Sequence, residues 1–300
     1  MQDSAQLWTQ RFLTHLRSER RLSEHTRSAY AQDLNEFIKW SESHSLEHWQ
    51  QVDHQHIRQF AAAEHRRGIS PRSIQRRLST LRSFCNYLIR ETQLKTNPAL
   101  EVRAPKAAKR LPATIDADQM AQLLTFRADA ELDKRDKAIM ELFYSSGLRL
   151  AELTGLNLKD VDLPDRTVRV LGKGNKTRLI PIGRFAITAM QDWLQQRSLI
   201  PQHDPEAVFI SRQGQRLTMR AIQLRVALWA KKQGLGQHVH PHLFRHSFAS
   251  HLLESSQDLR GVQELLGHAN ISTTQVYTHL DFQHLAKIYD AAHPRARRKP

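Results

Sequence analysis

The sequence predicts a mainly helical protein in two parts, with a small β-hairpin confined to the C-terminal part. Apolar residues recur at three- and four-residue spacing through the first hundred positions. Prolines at 98, 105 and 112 then interrupt any helix between Asn97 and Thr114. Further on, the Val-rich alternation Thr167 to Leu171 returns as Thr177 to Ile182 across Gly172-Lys173-Gly174-Asn175-Lys176. These breaks divide the chain into a helical part at 1–104, a basic linker at 105–113 and a longer part at 114–300.

Four helices account for the first part. Leu7, Phe12, Leu13 and Leu16 mark one, and Tyr30, Leu34, Phe37 and Ile38 mark a second that Ser23 can cap. Asp53 caps a third, with Ile57 and Phe60, ended by Gly68. Ser70-Pro71 opens the fourth, because proline suits a first helical position and serine the cap before it. On that fourth helix Ile74, Leu78, Leu81, Cys85 and Leu88 share one side.

In the longer part, Asp116 caps a helix through Leu124, and a helix with Ile139, Leu142 and Phe143 stops at Gly147. A short helix follows Arg149, whose start can favour an anion, although on this stretch alone a solvated cap residue is the plainer reading. Lys173 falls at the hairpin tip, between two glycines. Helices are predicted over Ile187 to Leu194 and Met219 to Lys232, with Val208-Phe209-Ile210 as a short strand or buried connection between them.

The 300 residues carry 45 Lys and Arg against 30 Asp and Glu, a net charge of +15 that points to a polyanionic partner, nucleic acid ahead of a membrane surface. No apolar run approaches the roughly 18 residues of a membrane span. Met1-Gln2-Asp3-Ser4 lacks the regions of a secretory signal, so the expected location is cytoplasmic. The single cysteine, Cys85, excludes an intramolecular disulfide and reads as a buried thiol.

Charge is uneven within the first part. Arg58 to Arg90 holds eight arginines, and Glu64 is its only acid. Unpaired like charge on a helix is destabilising, and a phosphate backbone would relieve it. The candidate DNA contacts are Arg72, Arg76, Arg77 and Arg82, with Lys106 and Lys109 of the linker, which can run along a duplex.

The chemistry concentrates between His242 and Tyr277. Pro241 starts a helix, so His242 and Arg245 lie three apart on one face and can reach one ligand. Gly267 ends a later helix and holds His268 at its cap; Ser272 or Thr273 caps the next, which presents Tyr277. The pattern is a phosphate site followed by a nucleophile. Each residue singly has a plainer reading as a surface or core group, and it is their co-occurrence that carries weight.

Arg149, Lys173, His242-Leu243-Phe244-Arg245, Leu266-Gly267-His268 and Tyr277 together resemble the tyrosine recombinases in order and spacing. Nearly the whole chain is similar to the bacterial Xer branch of that family, as in G-L-R-L-A-E-L and L-L-G-H-A-N-I-S-T-T-Q-V-Y-T-H. Phe244 stands where the family more often has Leu, one apolar residue for another.

The resemblance implies a C-shaped two-domain clamp, with a SAM-like DNA-binding domain ahead of a catalytic one. It implies Tyr277 as nucleophile through a 3′-phosphotyrosyl link, Arg149 and Arg245 as the phosphate clamp with His268 as a third donor, His242 assisting the tyrosine and Lys173 as general acid. It also implies neither metal, ATP nor other cofactor. The partners it implies are double-stranded DNA with a dif-like site and an XerD-type sister recombinase in a heterotetramer resolving chromosome and plasmid dimers. A septal DNA translocase would act on the sister subunit, and the apolar tail from Leu280 to Tyr289 would dock on a neighbour.

Two rival classes remain. A non-catalytic DNA-binding protein leaves Tyr277 and Lys173 unexplained. A metalloenzyme draws on His238, His240, His242, His246 and His251, but no Glu lies between His242 and His246 and Arg245 would oppose a dication.

Overall fold

The computed structural model describes residues 2–20, 22, 24–106, 114–171 and 177–256, and the chain divides into two compact units, Met1–Arg110 and Leu111–Pro300. Among the described residues the first unit is four helices, α1 (Gln2–Ser18), α2 (Glu24–Glu42), α3 (His54–Arg66) and α4 (Pro71–Arg90), with a 3-10 turn at Trp49–Gln51. Two of the caps read from the sequence form, as the Asp53 carboxylate accepts from the His56 N–H at 2.9 Å and Ser70 Oγ from the Ser73 N–H at 3.2 Å, while Ser23 lies outside the described residues. Phe12, Phe37, Phe60 and Phe84 are fully buried, and edge-to-face pairs link Phe37 to Phe60 at 5.1 Å and Phe12 to Phe84 at 5.2 Å. Cys85 lies in this core, where burial pushes its thiol up to about 12 and leaves it without reactivity.

The second unit adds α5 (Ala117–Leu124), α6 (Glu131–Ser146), α7 (Leu150–Thr154), strands β1 (Val161–Asp162), β2 (Thr167–Leu171) and β3 (Thr177–Pro181), then α8 (Arg184–Arg197), α9 (Met219–Lys232) and α10 (Pro241–Ser256). The predicted hairpin is present as β2 and β3, antiparallel with Val168 opposite Ile180 and Leu171 opposite Thr177. The two-residue strand β1 joins it through Val161 opposite Val168, making three strands in the order β1-β2-β3. Two residues are too few for an alternation to show in sequence. Val208, Phe209 and Ile210 are a buried connection with isolated bridges, Asn157 to Ala207 and Ile210 to Arg216.

Helix α6 is buried along nearly its whole length and carries charge inward. Asp136, 1% exposed, accepts from Arg135 at 2.9 Å, from the Trp229 indole at 3.0 Å and from Arg225, so one carboxylate ties α6 to α9. Removing one member of such a buried network leaves its cations uncompensated. Asp136→Ala should lower the unfolding free energy by about 3–5 kcal/mol. The check is a fall in denaturant midpoint at unchanged slope, and a change below about 0.5 kcal/mol would contradict it.

Candidate active site

Helix α6 ends because Gly147 adopts φ +58, a left-handed conformation that costs glycine little and closes the helix through its N–H to the Phe143 carbonyl. Space demands glycine here too, since a Cβ at this position would stand 2.5 Å from Cδ1 of Phe248 on α10. Two residues later Arg149 is the cap residue of α7. On the other side, Pro241 opens α10 as the sequence predicts, and Leu243, Phe244, Phe248 and Leu252 are buried. That packing directs Arg245 back to Gly147, whose carbonyl accepts from Nη1 at 2.5 Å.

The two clamp candidates are therefore brought to one place. Burial pushes the Arg245 guanidinium down to about 10; repulsion from Arg149 adds to this, Glu152 opposes it, and Arg178 lowers it further. At neutral pH the group stays charged, about three units below that value. A cation held partly out of water beside like charges is a site that an anion relieves.

Glu152 organises the neighbourhood. Its carboxylate accepts from Arg149 Nη1 at 2.8 Å and from the Arg149 backbone N–H at 2.8 Å, and from Arg178 Nη2 at 3.0 Å. Burial alone would raise its pKa, but the bonds from Arg178 and Arg149 outweigh burial and hold it below the usual carboxylate range. The carboxylate is thus ionised at neutral pH and bound to two guanidiniums.

Neither Glu152 nor Arg178 was singled out from the sequence. In β3 the apolar return expected at Leu179 and Ile180 is half met, since Leu179 is 49% exposed and Arg178 only 8%. Period-two alternation from Ile180 carried the signal, because it places position 178 on the inner face. Glu152 had a signal as well: it stands three residues after a cap position, where a glutamate reaches back to the backbone.

His242 is exposed at the start of α10, one turn before Arg245, with its ring centroid 6.4 Å from that of His240. His240 is held below the usual imidazole range, first by burial and then by His238, His242 and His246. Among the described residues no three His, Cys, Asp or Glu side chains are gathered as a metal-holding group. His251 is turned elsewhere, its Nδ1 2.8 Å from the buried Tyr144 hydroxyl. Lys173, His268 and Tyr277 lie outside the described residues, as does Lys109.

The first unit corrects the premise that its arginines lack acids nearby. Arg76 Nη1 donates to Asp33 at 2.6 Å, Arg77 pairs with Glu64 and lies 3.9 Å from Glu36, and Arg67 pairs with Glu64 at 2.9 Å. Asp33 and Glu36 sit on α2, far away in sequence, which hid the pairing. Arg82 donates to the carbonyls of Ala99 at 2.9 Å and Val102 at 2.5 Å and so holds that segment on α4. Arg72, Arg76 and Lys106 remain exposed, while Arg77 and Arg82 are half-buried.

A helical unit comes first, and a second unit follows in which a small antiparallel sheet and helices α6, α7 and α10 bring Arg149, Arg178 and Arg245 near the Glu152 carboxylate; the comparisons with known proteins give this arrangement its class, the DNA strand-exchange proteins. Residues 113–284 match the phage integrase family and residues 9–92 the phage integrase N-terminal SAM-like domain, so the chain belongs to the phage integrase family of tyrosine recombinases. It is 52% identical over 288 residues to tyrosine recombinase XerC of Xanthomonas campestris pv. campestris strain B100, covering 96% of this chain and 88% of that one. It is 55% identical over 289 residues to tyrosine recombinase XerC of Pseudomonas syringae pv. tomato, covering 96% of each. The fold is similar to that of the XerH site-specific recombinase in a pre-cleavage complex with its difH substrate, at a TM-score of 0.72 and 22% identity over 95% of both chains. The chain is accordingly a DNA strand-exchange enzyme.

Proposed function

We propose that this enzyme recombines double-stranded DNA at a dif-like site, cutting and rejoining one strand of each duplex at a time through a covalent link to Tyr277 and a Holliday junction. The observation that carries the reading is the convergence of Arg149 and Arg245 beside Gly147. A phosphodiester resists attack because its anionic oxygens gain charge on the way to the transition state, so catalysis must come from positioned cations and donors. Guanidinium forks match those oxygens bidentately. In this reading Arg149 and Arg245 hold the scissile phosphate, His268 donates a further hydrogen bond and His242 assists removal of the Tyr277 proton.

The tyrosine oxygen forms a bond to phosphorus as the bond to the 5′-oxygen breaks, and Lys173 supplies the proton that the leaving 5′-hydroxyl needs. The 3′-phosphotyrosyl diester retains the energy of the phosphodiester that was broken. A different 5′-hydroxyl can then reverse the step without ATP, metal or other cofactor. Exposed Arg72 and Arg76, with Lys106 and Lys109, contact the phosphate backbone, and Arg77 and Arg82 hold α4 and its following segment in place for them. The helical domain at 1–104 and the catalytic domain at 114–300 each contribute contacts to the duplex.

The likeness to XerC proteins supports a cytoplasmic protein working in a heterotetramer with an XerD-type sister to resolve chromosome and plasmid dimers, with a septal translocase acting on the sister. Among the described residues no helix is long and apolar enough to cross a membrane.

The test is a duplex carrying a dif-like site with a nick beside the cleavage position, so that the cut fragment escapes and the covalent complex accumulates. The expected result is a protein–DNA adduct bearing the DNA 3′ end, formed equally in EDTA and without ATP. Tight binding with no adduct would favour a non-catalytic DNA-binding protein. Loss of the adduct in EDTA would favour metal chemistry.

A further inference from the structure

Arg178 occupies an unusual place. Among the described strand residues it is the one charged side chain on the buried face of the sheet, opposite Val170 and in phase with Ile180. An aliphatic side chain in that slot would add packing, whereas a buried guanidinium costs desolvation that its pairing only partly offsets. The pairing is incomplete. Nη2 reaches Glu152 at 3.0 Å, but Nε is buried with no hydrogen-bond partner among the described residues. A residue that weakens its own core position is explained by what it holds, and what it holds is the carboxylate that binds Arg149 through both backbone and side chain.

We propose that Arg178 is a positioning residue for DNA cleavage: from β3 it locks the Glu152 carboxylate, and through it the Arg149 guanidinium, in register with the β2–β3 pair. This rests on the reading above that Arg149 grips the scissile phosphate. Glu152 Oε2 accepts from both Arg178 and the Arg149 N–H, while Oε1 accepts from Arg149 Nη1. Without Arg178 the carboxylate keeps its bonds to Arg149 but loses its tie to β3, and the pair it forms with the 38% exposed Arg149 side chain can shift as a unit. Arg178 also brings three guanidiniums, with Arg149 and Arg245, around a single carboxylate. The excess of two positive charges suits a phosphate that becomes more anionic as it reacts.

The experiment compares full-length wild type, Arg178→Gln and Arg178→Lys on the nicked duplex, once with an ordinary phosphodiester at the cleavage position and once with a neutral methylphosphonate there. Rates of single-turnover adduct formation are read beside melting temperature and DNA affinity. Arg178→Gln is expected to slow cleavage of the phosphodiester by about 10²-fold at unchanged affinity, the cost of a small misplacement of a reacting group. Arg178→Lys should recover part of that loss, since it keeps the charge without the planar fork. On the methylphosphonate, which asks less of Arg149, the deficit should shrink markedly. Equal deficits on both substrates, tracking a fall in melting temperature, would mean Arg178 only supports the fold and would overturn the proposal. So would a phosphodiester rate within about twofold of wild type. If Arg178→Gln does not fold, Arg178→Lys carries the same two-substrate comparison. Absence of adduct with the wild-type chain would instead sink the underlying reading, and the two failures are told apart in one assay.

Discussion

Replacing Tyr277 with phenylalanine should leave no detectable covalent protein–DNA adduct while DNA affinity stays as it was. The substitution removes one oxygen atom, the one that the proposed mechanism bonds to phosphorus, and keeps the aromatic ring. The three tyrosines among the described residues are engaged in packing of their own. The Tyr144 hydroxyl is buried against His251, Tyr87 is packed in the first unit's core, and Tyr30 stacks on Phe12 there. A phenol with an ordinary pKa near 10 is also a weak nucleophile without local help. The measurement is adduct yield on the nicked duplex beside a gel-shift titration. Adduct persisting in the variant would assign the nucleophile to another residue and remove the basis of the mechanism.

The next largest effect belongs to Arg245. Arg245→Ala should slow cleavage by at least about 10³-fold, because donors aimed at a developing oxyanion, and arginines on a transferring phosphoryl group, are worth that much or more. Arg245→Lys should recover only part of the rate, since a point charge does not reproduce the fork. Combining Arg149→Ala with Arg245→Ala should cost less than the product of the two separate losses, as both serve one phosphate.

Stability should move the other way. Arg245 has its pKa pushed down to about 10 by burial and by Arg149. A cation whose folded value lies below its unfolded one disfavours the folded state at every pH at which it is charged, neutral pH included. The apolar Arg245→Met variant is therefore expected to melt no lower than wild type while failing to cleave, a separation of activity from stability that calorimetry and the adduct assay read together. A large fall in melting temperature would show instead that the Gly147 bond matters mainly to the fold.

Local chemistry was the legible part of this chain. Asp53, Ser70 and Asp116 cap the helices they were expected to cap, because a side-chain oxygen satisfying an orphan N–H is a nearest-neighbour event. Gly147 ends α6 for an equally local reason. The family pattern was legible too, but only the Arg149, His242 and Arg245 part of the expected site falls within the described residues. What the sequence did not show was pairing at a distance: Asp33 is 43 residues from Arg76 and Glu152 is 26 from Arg178. The arginine face of α4 therefore looked barer than it is. Apolarity misled in β3 as well, where Leu179 points outward and its charged neighbour inward, since a packed face is set by the register of the pleat and not by the hydropathy of a single letter.

Gly147 joins three demands at one position: a left-handed backbone, room for Phe248 and a carbonyl for Arg245. Any side chain there would press on the buried Phe248 ring and strain the left-handed backbone whose carbonyl Arg245 holds. Shortening the side chain at position 248 is therefore the change that would make room for a Cβ at position 147. The contour of one aromatic ring thus bears on the backbone from which the Arg245 guanidinium hangs.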